Sequence, residues 1–440
     1  MTRLAPEQVA RALVAAGFED YVLWSDGASS YAVAAGVRAR IVVEANTIRV
    51  RDGAEKVIVE ATTRDPFADL AGVLARALSG PYRAWGYLGF GLAGFRYAYR
   101  KARATELHLI VPQVTCTYGA SGISFEGAHD ATARARAAVT AFASEPAADA
   151  ATDAGATRDD AVAGGRAEYE AAVREVLAAL EADQMEKVIL SRRVTISGRL
   201  NALATYAASA QTQAARRFAF ALGGVHGVGA CPEILLVADA AGHVVTNPLA
   251  GTQPRGRTDE EDGRLRARLL RDAKEVSEHA MSIRLAYDEI ASVCTPESAR
   301  VIDFMQVKRY PFTQHLSSRA AGTLARGRTT WDALGAVFPG VTVSGIAKRE
   351  AIATIDRLEP VARGVYGGAV GWVDHTGAMD WGIAIRSAFD YGEGNVALNA
   401  GAGIVRDSDP AYEFDESAHK MQTMASRLVL EAPPRATRPA

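Results

Sequence analysis

Three consecutive segments with strand character in the last third of the chain constrain its fold most strongly. They read GVYGGAVGWVD, DWGIAIRSAFDY and NVALNAGAGIV. Earlier strand candidates such as KVILSRRVTI are rich in β-branched residues, and a long charged helix is predicted over 258–293. Runs of strands with inserted helices are typical of α+β proteins with antiparallel sheets. We therefore predict an α+β fold built on antiparallel sheets.

The sequence pattern changes along the chain and indicates four regions. Residues 1–145 are β-rich with helical interruptions, whereas residues 146–165 are rich in Ala, Asp and Gly and have no apolar period. The latter pattern predicts a loop or mobile linker. Residues 166–432 begin with an amphipathic helix that leads directly into a strand, and residues 433–440 form a C-terminal tail.

Composition excludes several classes of protein. With 440 residues, 49% of them hydrophobic, and a net charge of −2, the chain can bury a large core and has no basic excess for nucleic-acid binding. No apolar stretch is suited to a signal peptide or to a membrane span. Three scattered cysteines indicate neither a disulfide framework nor a zinc site, which fits a reducing cytoplasm. We therefore expect a soluble cytoplasmic protein.

Two predicted helices carry acids at matching spacings. Glu413, Glu416 and Lys420 are spaced i, i+3 and i+7 and so share one helix face, and Glu275 and Glu278 repeat the Glu-x-x-Glu spacing upstream. Four carboxylates on two helices can form an oxygen-rich site, which suits Mg²⁺. The spacing alone fits two solvated acidic helix faces better, so the choice depends on the rest of the chain.

A series of sequence blocks in a fixed order favours the metal site over two solvated helix faces. With these blocks the chain resembles the chorismate-utilising enzymes, which include anthranilate, isochorismate and salicylate synthases. The resemblance is strongest over 165–430, and it is closest to the salicylate synthases of siderophore pathways through VIDFMQV and QHLSS. The blocks are EKVILSRRV, GACPEILL, NPLAGTQPRGR, KEVSEHAMSI, VIDFMQVKRYPFTQHLSS, FPGVTVSG, RGVYGGAVG, IAIRSAF and NAGAGIVRDSDPAYEFDES.

The resemblance implies a fold and a way of binding chorismate. The fold is one large domain of antiparallel sheets packed as a sandwich with helices outside; region 1–145 belongs to it, and region 166–432 binds chorismate. Mg²⁺ would bind the ring carboxylate through Glu278, Glu413 and Glu416, with Glu275 behind them. The implied substrate-binding residues are Gly251, Thr252, Arg386, Gly401, Ala402, Gly403 and Lys420.

The resemblance also implies catalytic roles. Water-using members have a lysine where this chain has Lys187, whereas ammonia-using members have glutamine. Lys187 would activate water for attack at C2, and Glu233 would protonate the departing C4 hydroxyl, giving isochorismate. Thr342 and Tyr366 match residues that accompany the further elimination of pyruvate. His315 matches a histidine near the substrate, and its role stays open between orientation and proton handling.

These features predict a Mg²⁺-dependent salicylate synthase that acts without a glutaminase subunit, as a monomer. Asn247 departs from the salicylate synthase pattern, which usually has Glu there, and Ala347 replaces a proline. Three alternatives remain: an isochorismate synthase without efficient pyruvate-lyase activity, an ammonia-using chorismate enzyme, and a catalytically silent chorismate- or metal-binding protein.

Overall fold

The computed structural model describes residues 4–27, 30–119, 122–143, 156–212, 214–310 and 313–431. Every strand pairing among these residues is antiparallel, and the strands form two large sheets. The predicted α+β fold with antiparallel sheets is therefore confirmed.

The first nine strands come from the N-terminal third, and the remaining strands begin at Lys187. The first group is β1 (Tyr21–Ser25), β2 (Tyr31–Ala35), β3 (Ala39–Glu44), β4 (Thr47–Asp52), β5 (Val57–Thr62), β6 (Arg83–Leu88), β7 (Thr105–Val111), β8 (Val114–Gly119) and β9 (Gly122–Gly127). The second group is β10 (Lys187–Ser197), β11 (Arg216–Leu222), β12 (Val225–Cys231), β13 (Ile234–Ala238), β14 (His243–Asn247), β15 (Leu249–Pro254), β16 (Arg300–Arg309), β17 (Thr313–Thr323), β18 (Gly345–Ile346), β19 (Ala369–Asp374), β20 (Met379–Ile383), β21 (Ser387–Asp390) and β22 (Asn395–Ile404).

Helices connect and cover the strands. They are α1 (Pro6–Ala15), α2 (Pro66–Ala77), α3 (His129–Phe142), α4 (Ala156–Ala163), α5 (Arg166–Glu181), α6 (Ala202–Ala208), α7 (Asp259–Leu269), α8 (Ala273–Ala291), α9 (Thr330–Val337), α10 (Lys348–Leu358) and α11 (Pro410–Ala425). Two short 3-10 helices span Phe90–Phe95 and Val341–Val343. No helix in the described part of the chain is both long enough and apolar enough to cross a membrane.

Both sheets contain strands from before and after the middle of the chain. The first sheet runs β18-β10-β22-β21-β12-β11-β1-β2-β8-β9, and the second runs β15-β17-β14-β13-β20-β19-β6-β7-β3-β4-β5, with β16 paired to β17. The N-terminal strands thus continue the same sheets, since β1 pairs with β11 and β6 with β19.

The two sheets pack face to face through aromatic side chains. Trp24, Phe218 and Phe220 from the first sheet share a buried cluster with Trp85 and Tyr87 from the second. The Tyr87 and Phe220 rings stack with their centroids 5.3 Å apart, a favourable arrangement for aromatic pairs. On the outer faces, α1, α3 and α6 cover the first sheet and α2, α8 and α9 cover the second. The predicted sandwich with outer helices is confirmed.

The structure corrects two predictions about local structure. Residues 156–163 of the predicted loop form α4, although the segment lacks an apolar period. Two buried side chains, Val162 and Arg158, anchor this helix to the rest of the protein. The Arg158 guanidinium donates a hydrogen bond to the carbonyl of Leu428. Residues 146–155 and the predicted tail lie outside the described residues. The long helix predicted over 258–293 is two helices, because the Asp272 carboxylate caps the start of α8 and so begins a new helix.

Glu106 on β7 is a buried carboxyl group that makes the stability of the fold depend on pH. Glu106 accepts backbone N–H groups of Gly91 and Arg103, and a Cβ at residue 91 would lie 2.2 Å from its carboxyl carbon. Burial raises the pKa of Glu106 to about 8. The unfolded chain releases this proton near its ordinary pKa, so stability falls as the pH rises from about 4.5 to about 8.

We expect Glu106→Gln to be more stable than the unmodified protein, by roughly 2–4 kcal/mol at pH 9 and by much less at pH 5. The amide keeps an acceptor for the backbone N–H groups and cannot ionise. Urea unfolding at both pH values measures the difference, with Glu126→Gln at an exposed glutamate as the control. A stability gain that does not depend on pH would contradict the buried, protonated state.

Candidate active site

A cavity of about 400 Å³ lies where the ends of β10 and β22 meet β15, β17 and helices α8 and α11. It brings together residues that are far apart in the sequence and that were predicted separately as catalytic, substrate-binding or metal-binding. Those on its wall are Lys187, Glu233, Gly251, Glu275, Glu278, His315, Thr342, Tyr366, Arg386, Gly401, Gly403, Glu416 and Lys420.

Three predicted residues are not part of this wall as described. Ala402 faces away and packs among apolar residues including Phe414, because alternate residues of β22 point to opposite faces. Glu413 is fully buried behind the wall. Thr252 lies on β15, and its side chain is outside the described part of the structure.

Lys187 is the first residue of β10 and is almost fully buried. Strands pair on both sides of β10 here: Lys187 faces Ile346 of β18, and the next residue pairs with β22. Its Nζ lies 2.8 Å from Glu278 Oε1 and 3.3 Å from Ser282 Oγ on α8. A protonated amine has no free lone pair, so a lysine in such an ion pair must first lose a proton before it can act as a base.

Glu233 follows β12 and is a buried residue on the wall of the same cavity. Its Oε1 accepts hydrogen bonds from Thr342 Oγ1 at 2.7 Å and from the Leu249 N–H at 3.2 Å. Burial raises the pKa of this carboxyl group to about 7. A carboxyl group with that pKa is substantially protonated near neutral pH, as a general acid must be.

Lysines pair with three of the four predicted metal ligands. In addition to the Lys187–Glu278 pair, Lys420 Nζ lies 2.6 Å from Glu416 Oε1, and Lys274 Nζ lies 3.2 Å from Glu413 Oε1. In the described part of the chain, no three acidic, His or Cys side chains are grouped closely enough to hold a metal ion. The predicted four-carboxylate cage is therefore not preassembled, and three of its four acids pair with lysines instead.

The acids nevertheless match the chemistry of a hard divalent cation. All four offer carboxylate oxygens, the ligands that Mg²⁺ prefers, and Glu413 Oε2 is buried without a hydrogen-bond partner in the described structure. Burial raises the pKa of Glu413 to about 7, and nearby Glu416 adds to this effect. Burial by itself would raise the pKa of Glu416, but the nearby ammonium of Lys420 lowers it below its ordinary value. A cation here would relieve the cost of ionising Glu413.

Glycines let the charged groups approach one another. A Cβ at Gly403 would lie 2.7 Å from Glu278 Oε1 and 3.2 Å from Lys187 Cε, so any side chain would push this ion pair apart. Gly401 allows β22 to approach β10 closely, and its carbonyl accepts a hydrogen bond from Lys420 Nζ at 3.1 Å. The glycines predicted to admit the substrate thus also leave room for the lysine–glutamate pair.

His315 and Tyr366 are both buried and both electrically neutral near pH 7. Burial lowers the pKa of His315 to about 3 and raises the pKa of Tyr366 to about 12. His315 Nε2 lies 3.0 Å from Thr313 Oγ1. A neutral imidazole can orient a substrate through hydrogen bonds or accept a proton, so both roles predicted for His315 stay open.

Sequence reasoning missed several wall residues. Thr423 lies on the same face of α11 as Glu416 and Lys420, at spacings i+7 and i+3, so helical periodicity could have identified it. Lys274 directly precedes Glu275 at the start of α8, but no local pattern shows that it reaches Glu413. The other polar residues on the wall that the sequence did not predict are Thr313, Asn399, Tyr412 and His419.

Asn247 lies behind the cavity rather than on its wall. Its amide nitrogen donates to Ser317 Oγ and to the Ser318 carbonyl, and its oxygen accepts a hydrogen bond from Lys308 Nζ at 2.7 Å. Asn247 therefore supports β17 without lining the cavity.

The chain is similar to known proteins over much of its length. The family model of chorismate binding enzymes matches residues 19–426. A salicylate synthase of Mycolicibacterium paratuberculosis is 33% identical over 421 residues, which are 93% of this chain and 90% of that protein. An anthranilate synthase component 1 of Haloarcula marismortui is 40% identical over 62% of this chain and 52% of that protein. The crystal structure of anthranilate synthase component I from Streptococcus pneumoniae superimposes with a TM-score of 0.74 at 25% identity and covers 91% of this chain and 93% of that one.

Proposed function

Because the chain belongs to the family of chorismate binding enzymes, we propose that it is a Mg²⁺-dependent salicylate synthase. It would convert chorismate to isochorismate and then to salicylate and pyruvate. One observation carries this proposal: a buried lysine and a buried carboxyl group with a pKa of about 7 lie on the wall of the same cavity. The similarity to a salicylate synthase along nearly the whole chain supports the choice of product.

The first step exchanges one oxygen substituent of the ring for another. In its neutral form, Lys187 accepts a proton from water as the water oxygen bonds to C2. Both conjugated ring double bonds then shift by one position, and the C4–O bond breaks. Glu233 donates its proton to the departing C4 oxygen, which leaves as water. One water enters and one leaves, so the step is an isomerisation that a general base and a general acid can assist.

The second step breaks the ether bond at C3. The C2 hydrogen moves to the methylene carbon of the enolpyruvyl group, pyruvate leaves, and the ring becomes aromatic. This step needs the side chain to be held in a reactive conformation rather than an external base. Tyr366, Thr342 and His315 are neutral hydrogen-bonding groups suited to that task, and Arg386 suits a bidentate carboxylate contact.

Glu278 and Glu416 are the residues on the wall that would hold Mg²⁺, with Glu275 and Glu413 beside them. When bound, the cation would supply positive charge to the ring carboxylate of chorismate. Lys187 and Lys420 pair with these same acids in the described structure, so a bound cation would compete with both lysines for the carboxylates.

We expect Glu416→Gln to raise the Mg²⁺ concentration needed for half-maximal activity about tenfold or more and to lower the activity, because an amide is a weaker ligand for a hard cation. A Mg²⁺ titration of chorismate turnover measures both effects. Asp415→Asn is the matched control, since Asp415 is exposed on the same helix and pairs with Arg166. An unchanged titration would remove Glu416 from the metal site.

Product analysis tests the proposed function. Chorismate is incubated with the protein and Mg²⁺ at neutral to mildly alkaline pH, with EDTA and ammonium-supplemented samples beside it, and the products are separated by chromatography. We expect salicylate and pyruvate in equal amounts, no turnover with EDTA, and no aminated product with ammonium. Isochorismate alone would support the narrower isochorismate synthase function. Anthranilate in the ammonium sample would contradict the use of water and the absence of a glutaminase partner.

A further inference from the structure

A buried ion pair lies directly behind the cavity wall. Arg363 and Glu359 are 1% and 5% exposed, and two hydrogen bonds of 2.9 and 2.6 Å join the guanidinium to the two carboxylate oxygens. Neither residue lines the cavity. The pair cannot contact the substrate, so any effect on catalysis must act through its neighbours.

The first set of neighbours is the outer edge of β10. Strand β18 is only two residues long and pairs with Lys187 and the residue after it, so the edge strand ends there. Beyond that point the ion pair takes the place of a strand. Arg363 Nη2 donates to the Ile189 carbonyl at 2.8 Å, and Glu359 Oε1 accepts the Ser191 N–H at 2.7 Å and the Ser191 hydroxyl at 2.9 Å.

The second set of neighbours lies on another part of the wall. Arg363 Nη1 donates to the carbonyl of Val343 at 2.5 Å, and Val343 directly follows the threonine that bonds Glu233. The guanidinium carbon also lies 5.7 Å from the centre of the Tyr366 ring. A single guanidinium thus connects the strand of Lys187 with the segment of Thr342 and with Tyr366.

Stability is a weak explanation for such a pair. Replacing a buried ion pair by apolar residues of similar volume is often neutral or stabilising, because both charges must lose their hydration. By contrast, displacement of a catalytic group by about 1 Å can lower a rate about 10²-fold. We propose that Arg363 and Glu359 are positioning residues that fix the distance between Lys187 and the Thr342–Glu233 pair; the inference rests on the proposed function.

Arg363→Lys tests this role. Lysine keeps the positive charge, but a single ammonium lacks the planar fork that bonds Glu359, Ile189 and Val343 together. We expect kcat for chorismate consumption, expressed per folded molecule, to fall about 10- to 100-fold, with KM changed less than about threefold. Arg40→Lys is the matched control, because Arg40 pairs with Asp20 and Glu55 away from the cavity.

The outcomes separate this proposal from the proposed function. Chorismate that the unmodified protein leaves unchanged would refute the proposed function itself. If the unmodified protein turns over chorismate and Arg363→Lys has the same kcat per folded molecule, the ion pair has only a structural role. If Arg363→Lys does not fold, Glu359→Gln replaces it under the same criterion, since the amide oxygen can still accept the Ser191 N–H while the charge is lost.

Discussion

Lys187→Ala is expected to lower the conversion of chorismate to isochorismate by about 10³-fold or more, yet to retain elimination of pyruvate from supplied isochorismate. General base catalysis contributes about 10²–10⁴-fold, and the buried position of Lys187 leaves little room for another base from solvent. The elimination transfers a hydrogen within the substrate and needs no base. The two activities should therefore separate in this variant.

Two assays on the same preparation measure the separation: chorismate consumption, and pyruvate release from isochorismate. Lys56→Ala, at an exposed lysine on the second sheet's β4–β5 turn, is the control for removal of a lysine as such. Chorismate consumption at the unmodified rate would show that another group activates water. Equal loss of both activities would show that Lys187 is needed for binding rather than for the first step alone.

Glu233→Gln is expected to lower kcat for chorismate about 10²- to 10³-fold while KM changes little. The glutamine oxygen can still accept the hydrogen bonds from Thr342 and from the Leu249 N–H, so the wall keeps its shape. The amide cannot protonate the departing C4 oxygen, so the transition state loses its proton donor.

The pH dependence sharpens this test. Because burial raises the pKa of Glu233 to about 7, the acid loses its proton above that pH, and kcat/KM of the unmodified enzyme should fall on the alkaline side. The residual activity of Glu233→Gln should lack this fall. Thr342→Ser, which keeps the hydroxyl, serves as the control. An alkaline limb that persists in Glu233→Gln would assign the acid to a different residue.

The sequence predicts those features of the site that depend on local periodicity. Strand content predicted the antiparallel sheets, and the spacing on α11 correctly placed Glu416 and Lys420 on one face. Glu413 and Glu416 are three residues apart, so about 60° of rotation around the helix separates their side chains, and the two need not face the same cavity. Glu413 is therefore buried behind the wall although its spacing suggested a shared face.

Contacts between distant elements could not be predicted in this way. The lysine partner of Glu278 lies on β10 and that of Glu413 lies at the start of α8, and only the packing of the helices against the sheet brings them together. The same holds for Arg363, whose partners are backbone carbonyls of a strand and a turn. Backbone acceptors have no sequence signature, so the motif that contains Arg363 gave no sign of this role.

The origin of the phenolic oxygen of salicylate shows most directly whether water attacks C2. Attack of water at C2 places a solvent oxygen on the carbon that becomes the phenol carbon, and the later elimination leaves that bond intact. Chorismate is therefore incubated with the enzyme and Mg²⁺ in water enriched in oxygen-18, and the salicylate is analysed by mass spectrometry. We expect one heavy oxygen atom, located on the ring rather than in the carboxylate. Salicylate with an unlabelled phenol would contradict water addition by Lys187 and Glu233.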